Sequence, residues 1–221
     1  MNVSNILSEC FPFFGTLSDT DRDFLIKNTY KASYKKGTAI HDGNQCTGVI
    51  FVRSGVLRVY MLSESGKEVT FYRLFPGDIC ILSAFCFEKN ITFDVSVNAE
   101  EDSECFVVAG HAFAALSDRV PSVKIFALQA TVDRFSTVIE VIQGILFMSF
   151  DRRLAAFLLN ELARNGGDTV HLTHEEIAKY MGSAREVVTR TVKKLTEDGL
   201  VAASRGEVRI LDKKRLRAMT T

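Results

Sequence analysis

The sequence predicts an α+β protein with three parts, and three observations carry this prediction. Short alternating runs punctuated by glycine occupy residues 36–108, and apolar residues recur at helical spacing over residues 125–146. Two helix-start patterns then stand close together after residue 170. The expected boundaries are 1–116 for an antiparallel β domain, 117–149 for a long helix with a hinge, and 150–221 for a C-terminal helical domain.

The composition is that of an ordinary globular protein. The chain has 221 residues, 47% of them hydrophobic, and a formal net charge of zero. No basic segment with an apolar core opens the sequence and no apolar run approaches membrane-spanning length, so we expect neither a secretory signal nor a membrane partner. Five scattered cysteines without a CxxC pair indicate reduced thiols in the cytoplasm rather than disulfides or a zinc site.

Residues 36–108 predict the β domain, after a short helix over residues 19–29. The clearest strand is ITFDVSVNA, residues 91–99, where Ile91, Phe93, Val95 and Val97 point to one face and polar residues to the other. Several such strands at roughly ten-residue spacing indicate an antiparallel sandwich, barrel or roll.

A long helix is predicted from near Pro121, a favoured first-turn residue. A helix of about 28 residues spans about 42 Å, which is more than one small β domain can bury. We therefore predict that the apolar stripe of this helix joins two copies of the chain in a parallel dimer, the alternative being a helix that lies along its own domain. The stripe comprises Ile125, Leu128, Val132, Phe135, Ile139, Ile142 and Leu146, and all but Ile125 are assigned to the dimer interface.

The C-terminal domain is predicted to be a winged helix-turn-helix. One helix ends at Gly182, a second ends at Gly199, and LVAASRGEVRIL then indicates two strands around a turn near residues 204–206. Two capped helices joined by a tight turn are typical of a helix-turn-helix, and the hairpin after them is typical of a wing. The expected capping boxes are Thr173 with Glu176 and Ser183 with Glu186.

The second of these helices separates an apolar face from a charged one. At 100° per residue, Val188, Val192 and Leu195 lie within about 60° of one another and form a packing stripe. Arginine donates paired bonds to guanine and glutamate accepts from cytosine, so the charged face predicts base reading in DNA. The alternative for Glu186 is that it only completes the capping box. The residues expected to contact DNA are Thr173, Ser183, Arg185, Glu186, Thr189, Arg190, Lys193 and Arg205. For Lys193, Lys194 and Arg205 the expectation is a phosphate contact, the alternative being that they are only solvated.

Charge is distributed unevenly along the chain. From Asp168 onward there are 11 basic and 8 acidic residues, which leaves 16 basic and 19 acidic residues in the rest. This small asymmetry has the sign expected if the C-terminal part binds a polyanion.

Several motifs resemble the CRP/FNR family of bacterial transcription regulators, over nearly the whole chain. The resemblance implies a jelly-roll-like β-roll that senses a signal, a homodimer on a two-fold DNA site, and RNA polymerase as a partner. It also implies that Arg185, Glu186 and Arg190 are the base-reading residues. The motifs are KGTAIHDGN (36–44), FVRSGVLRVY (51–60), SGKEVTFYRLFPGD (65–78) and SAREVVTR (183–190).

Two effectors found in this family are not expected here. Members that bind cyclic AMP hold it with a Gly-Glu-Leu turn and a downstream Arg-Ser, but this turn reads Ile81-Leu82-Ser83 and no arginine lies between Pro76 and Val108. A phosphate buried without a cation is heavily penalised. An iron–sulfur cluster needs a group of cysteine ligands, and the N-terminal region holds only Cys10.

The effector class stays open between a small uncharged or aromatic ligand and a redox signal at Cys80 and Cys86. No cofactor is identified. The residues expected around an effector cavity, between the β domain and the long helix, are Ile79, Cys80, Leu82, Ser83, Phe93, Thr131 and Phe135.

Two other functions compete with a DNA-binding regulator. The winged helix could contact a protein partner instead of DNA, in a chain that is a ligand-binding module. An enzyme is not expected, because no glycine-rich phosphate loop, Ser/His/Asp arrangement or paired carboxylates are found in the sequence.

Overall fold

A computed structural model describes residues 3–41, 47–64, 66, 68–81 and 95–220. The chain divides into two compact units. The first runs to Leu62 and resumes over Phe71–Val138, and the second combines Ser63–Thr70 with Ile139 onward. None of the described helices is both long and apolar enough to cross a membrane.

The N-terminal strands form two four-stranded sheets, with strand orders β1-β8-β3-β6 and β2-β7-β4-β5. Neighbouring strands pair in the antiparallel direction, as β1 does with β8 and β4 with β7. The predicted antiparallel roll is therefore confirmed. The strands are β1 (Thr29–Tyr34), β2 (Ala39–His41), β3 (Val49–Ser54), β4 (Leu57–Leu62), β5 (Glu68–Leu74), β6 (Ile79–Cys80), β7 (Ser96–Ala99) and β8 (Ser103–Val108).

Alternation of side chains builds the core of the roll. Val95, Val97 and Ala99 are buried whereas Ser96 and Asn98 are half-buried, as the sequence pattern predicts. The preceding part of that predicted strand, residues 91–94, lies outside the described residues.

The strands begin earlier than the sequence predicts. Strand β1 starts at Thr29, before the glycine-punctuated region that begins at residue 36. The segment TYKASY buries only its first residue fully, so its sequence lacks the apolar alternation that marks a strand. Pairing with β8 along its whole length forms this strand instead.

Helices α1 (Val3–Cys10), α2 (Asp19–Lys27) and α3 (Gly110–Arg119) flank the roll. Phenylalanine rings from the first residues pack with the start of α4 (Pro121–Phe147): Phe126 lies edge-on to Phe11 at 5.5 Å and to Phe13 at 5.3 Å between ring centroids. This cluster anchors the first turns of α4 to the roll. The long helix begins at Pro121, as predicted.

The apolar stripe of α4 lies on a different face from this anchor. Leu128, Val132 and Phe135 are each more than half exposed, and Leu146 near the end of the helix is 67% exposed. In an ordinary surface helix the apolar face is buried and the polar face is exposed, whereas the apolar stripe of α4 is exposed in the single chain.

The C-terminal unit contains the predicted winged helix-turn-helix. Its core gathers apolar residues of several elements, among them Leu158, Ile177, Val192 and Val208. The sequence did not predict β9, which adds a third strand to the wing in the order β10-β11-β9, nor α8. The elements are α5 (Phe150–Asn165), β9 (Thr169–Val170), α6 (His174–Met181), α7 (Arg185–Glu197), β10 (Val201–Ser204), β11 (Glu207–Ile210) and α8 (Lys213–Ala218).

Candidate nucleic-acid interface

Helix α6 begins with the capping box that the sequence predicts. The backbone N–H of Glu176 donates to Thr173 Oγ1 at 3.2 Å, and the backbone N–H of Thr173 donates to Glu176 Oε2 at 2.7 Å. Two of the free N–H groups at the helix start are thereby satisfied. Thr173 is exposed beside this cap.

The turn after α6 closes that helix with its backbone. Gly182 adopts a left-handed conformation (φ 58°), and the N–H of Ser183 donates to the Ala178 carbonyl at 2.9 Å. A left-handed residue at this position favours glycine, since a side chain there is strained. The backbone of Ser183 therefore belongs to the end of α6.

The second predicted capping box is wrong. Helix α7 starts at Arg185, its N-cap is Ala184, and no side chain caps it. Because the Ser183 backbone closes α6, Ser183 lies one residue too early to cap α7. Glu186 therefore does not complete a capping box. Its carboxylate still lies in the first turn of α7, where the helix dipole favours negative charge.

The two faces of α7 are separated as predicted. Val188, Val192 and Leu195 are at most 1% exposed and pack into the C-terminal core. The opposite face is exposed and carries Arg185, Glu186, Thr189, Arg190 and Lys193.

A cleft of about 430 Å³ brings three of the predicted DNA contacts together. Thr173 comes from the start of α6, Arg185 from the start of α7, and Arg205 from the turn of the wing between β10 and β11. Glu186, Arg190 and Lys193 lie along α7 and Ser183 is half-buried in the turn, all outside the cleft lining. The lining is Thr173, His174, Glu175, Arg185, Ser204, Arg205 and Gly206.

Ion pairs distinguish the cations of α7 from one another. Lys194 donates to Asp151 of α5 at 2.5 Å, and this hydrogen bond raises the pKa of Lys194. Lys193 lies 3.8 Å from Glu197 on its own helix. Within the described part of the chain, Arg185 and Arg190 form no ion pair, so their guanidinium groups are available to an external acceptor.

His174 is an interface residue that sequence reasoning missed. Its Nδ1 lies 3.0 Å from Thr189 Oγ1, and Thr189 Oγ1 donates to the Arg185 carbonyl at 3.0 Å. Burial and the neighbouring Arg185 lower the pKa of His174 below its ordinary value. A single histidine at the start of a helix gives no sequence signal for this bond, which joins residues of two helices.

The four predicted effector residues that the structure describes, Ile79, Cys80, Thr131 and Phe135, have different surroundings. Ile79 packs with the cluster of Phe11, Phe13 and Phe126. Cys80 lies in the core of the roll instead, because consecutive strand residues face opposite sides. Thr131 Oγ1 donates to the Ala127 carbonyl of its own helix at 2.6 Å, and Phe135 is exposed on the apolar stripe of α4. Leu82, Ser83 and Phe93 lie outside the described residues.

Arg134 is a cation near the roll that the sequence search did not consider. It reaches β6 from α4, where its Nη2 donates to the Ile79 carbonyl at 3.3 Å and lies 3.8 Å from Asp78 Oδ1. Its guanidinium carbon lies 4.9 Å from the ring centroid of Tyr72. Asp78 therefore offsets part of the charge of Arg134.

Two of the described thiols, Cys10 and Cys105, are poorly suited to redox sensing. Cys10, Cys80 and Cys105 are not joined in disulfides. Burial raises the pKa of Cys10 and of Cys105 to about 12, so both are neutral thiols at pH 7. A thiolate is the reactive form of cysteine, and neither residue supplies one. Cys86 lies outside the described residues.

An antiparallel roll, a long helix and a winged helix-turn-helix with an exposed arginine face define a DNA-binding transcription regulator. Two family models match the chain, a cyclic nucleotide-binding domain over residues 31–119 and a Crp-like helix-turn-helix domain over residues 152–219. A solved transcriptional regulator of the Crp/Fnr family from Eubacterium rectale is 39% identical, with a TM-score of 0.91 over 95% of this chain and 98% of that one. The chain belongs to the Crp/Fnr family.

Two curated relatives support the same class. The transcriptional activator protein Anr of Pseudomonas aeruginosa is 27% identical over 213 residues, covering 92% of this chain and 85% of that protein. A cyclic AMP receptor protein of Thermus thermophilus is 27% identical over 201 residues, covering 90% of this chain and 92% of that protein. These relatives confirm the prediction of a regulator rather than an enzyme.

Proposed function

We propose that this DNA-binding regulator is a homodimer that reads base edges in the major groove with α7, under the control of a signal at the β-roll. The observation that carries the proposal is the exposed face of α7. Arg185, Glu186 and Arg190 lie on this face, away from the buried stripe of the helix. Without a Ser183 cap to complete, Glu186 is available to accept from cytosine while the arginines donate to guanine.

The parts of the chain divide this work. Residues 1–116 sense the effector, residues 117–149 join two subunits through the α4 stripe, and residues 150–221 bind DNA. A two-fold pair of recognition helices fits a two-fold DNA site with half-sites one helical turn apart. We expect the dimer to act on chromosomal DNA in the cytoplasm, together with RNA polymerase.

The effector is a small molecule that acts on the roll and the roll-facing side of α4. The neutral thiols of half-buried Cys10 and buried Cys105 argue against a redox signal at these two residues. A redox signal at Cys80 and Cys86 stays the alternative. The Arg134–Asp78 pair joins α4 to the residue before β6, so a ligand that disturbs this pair changes how the helix is held. Cyclic AMP and an iron–sulfur cluster remain unexpected as effectors.

Alanine variants of α7 test the base-reading assignment. Duplexes of about 30 base pairs are selected from a random pool with the wild-type chain, and affinities are then measured for selected and random DNA over a range of salt. Arg185→Ala and Arg190→Ala should each cost about 1–3 kcal/mol on selected DNA and relax base preference. Lys193→Ala should weaken both kinds of DNA alike and reduce the salt slope by about 1.

Lys194→Ala is the matched control. Because Lys194 forms an ion pair with Asp151, this variant should leave the affinity for DNA nearly unchanged. Equal losses by the arginine variants on selected and random DNA would show that the arginines bind phosphate only. Duplex binding without salt dependence would instead favour a protein partner for the winged helix.

A further inference from the structure

His174 is a titratable group inside the candidate interface. It is the first residue of α6, it is half-buried, and it lines the cleft described above. The charged residues that share this lining with it are Glu175 on its own helix, Arg185 on α7 and Arg205 on the wing. The group therefore sits where three elements of the interface meet.

The hydrogen bonds of His174 determine which ring nitrogen titrates. Thr189 Oγ1 carries one hydrogen, and it serves both partners only when that hydrogen goes to the Arg185 carbonyl and Oγ1 accepts from His174. Both contacts are made when Nδ1 carries a hydrogen and donates it to Thr189. Nε2, on the opposite edge of the ring, is then the atom that gains or loses the titrating proton.

We propose that the protonated Nε2 of His174 binds a DNA phosphate, so that DNA binding is coupled to the uptake of one proton. The proposal rests on the DNA-binding function proposed for this cleft. A neutral Nε2 presents a lone pair, which repels a phosphate oxygen. A protonated Nε2 donates a charge-assisted hydrogen bond to the same oxygen.

In the free protein, the electrostatics of the cleft favour the neutral form of His174. Burial and Arg185 lower the pKa of His174 below 6.5, so the ring is mostly neutral at pH 7. Arg205 and Glu175, a cation and an anion, also line the cleft. A phosphate beside Nε2 stabilises the imidazolium and also offsets the two arginines, which raises the pKa in the complex.

The sign of the pH effect follows from this order of pKa values. Because the pKa is higher in the complex, the complex binds more protons than the free protein. Affinity is therefore constant above the pKa of the complex. It rises by up to about tenfold per pH unit as the pH falls towards the pKa of the free protein, and it is constant again below that value.

The experiment measures duplex binding by the full chain near pH 6 and near pH 7.5, each over a range of salt. Both the random pool and the selected duplexes serve as probes. We expect about tenfold tighter binding near pH 6 at constant salt. We also expect a salt slope steeper by about 0.9 there, because one more phosphate is neutralised.

Two histidine variants locate the proton. His174→Gln supplies a neutral amide that can still donate, so it should remove both the pH effect and the change in salt slope. His171→Gln is the matched control. His171 lies 3.5 Å from Glu207 on the wing and outside the cleft lining, so its removal should leave both effects in place.

The outcomes separate this proposal from the proposed function. Wild-type affinity and salt slope that do not change with pH overturn the proton coupling and leave DNA binding intact. So does a pH effect that survives in His174→Gln or disappears in His171→Gln. Failure to bind either duplex pool overturns both proposals. If His174→Gln does not fold, an NMR titration of the wild-type imidazole decides, since its pKa must be higher with DNA than without.

Discussion

Helices α4 and α7 each carry an apolar stripe at helical spacing, but the two stripes have opposite fates. Val188, Val192 and Leu195 of α7 are at most 1% exposed, since other elements of the C-terminal unit cover them. The α4 residues Leu128, Val132 and Phe135 are 58–64% exposed. A periodic apolar stripe therefore indicates a face that is buried against something, but it does not indicate whether the same chain or another molecule buries it.

Energetics favour a second copy of the chain as the cover for α4. Complete burial of a large apolar side chain contributes about 1.5–3 kcal/mol, and partly covered side chains contribute a corresponding fraction. Six stripe residues from each of two chains together supply a free energy comparable with or above the roughly 4–15 kcal/mol that association costs. For α7, the free energy of burying its apolar stripe stabilises the fold of a single chain.

The largest expected effect comes from placing a charge on the α4 stripe. Phe135→Asp puts two carboxylates into the proposed dimer seam, and each buried unpaired charge costs about 3–5 kcal/mol. Ile139→Asp acts one turn further along. We expect monomers in sedimentation, with helical content retained because Phe135 is exposed in the single chain.

Glu140→Ala is the control for these variants, since Glu140 is an exposed polar residue of the same helix. It should leave the dimer intact. Dimers that persist in both aspartate variants would mean that the subunits associate through another surface.

A cavity under α7 should have the next largest effect. Leu195→Ala removes a fully buried side chain and should lower the free energy of unfolding by about 2–5 kcal/mol. Denaturant unfolding at several protein concentrations measures this loss. The loss should not depend on concentration, because the contacts of Leu195 lie within one chain, unlike the effect of changes on the α4 stripe. A concentration-dependent loss would place α7 in an interface instead.

Periodicity was enough to predict the coarse fold. The long helix, the alternation of Val95 and Val97, and the buried stripe of α7 follow from spacing alone. Strand β1 did not, because it depends on pairing with β8 and not on its own apolar pattern.

The missed interface and roll residues depend on contacts between distant segments. Arg134 reaches the Ile79 carbonyl across 55 residues, and His174 meets Thr189 across 15. Neither bond is encoded in local spacing, because each requires two elements to be packed first. A search for an arginine within the roll sequence therefore could not find one that comes from α4.

The smallest expected effect compares the starts of α6 and α7, which share one sequence pattern and differ in structure. Thr173→Ala removes a capping hydrogen bond and should lower the free energy of unfolding by about 1 kcal/mol. Ser183→Ala should change it by less than about 0.5 kcal/mol, since Ser183 caps nothing and only its backbone closes α6. Urea unfolding of the two variants side by side resolves this difference. Equal losses would return Ser183 to the role of cap and Glu186 to the capping box, leaving Arg185 and Arg190 as the remaining base-reading candidates of this face.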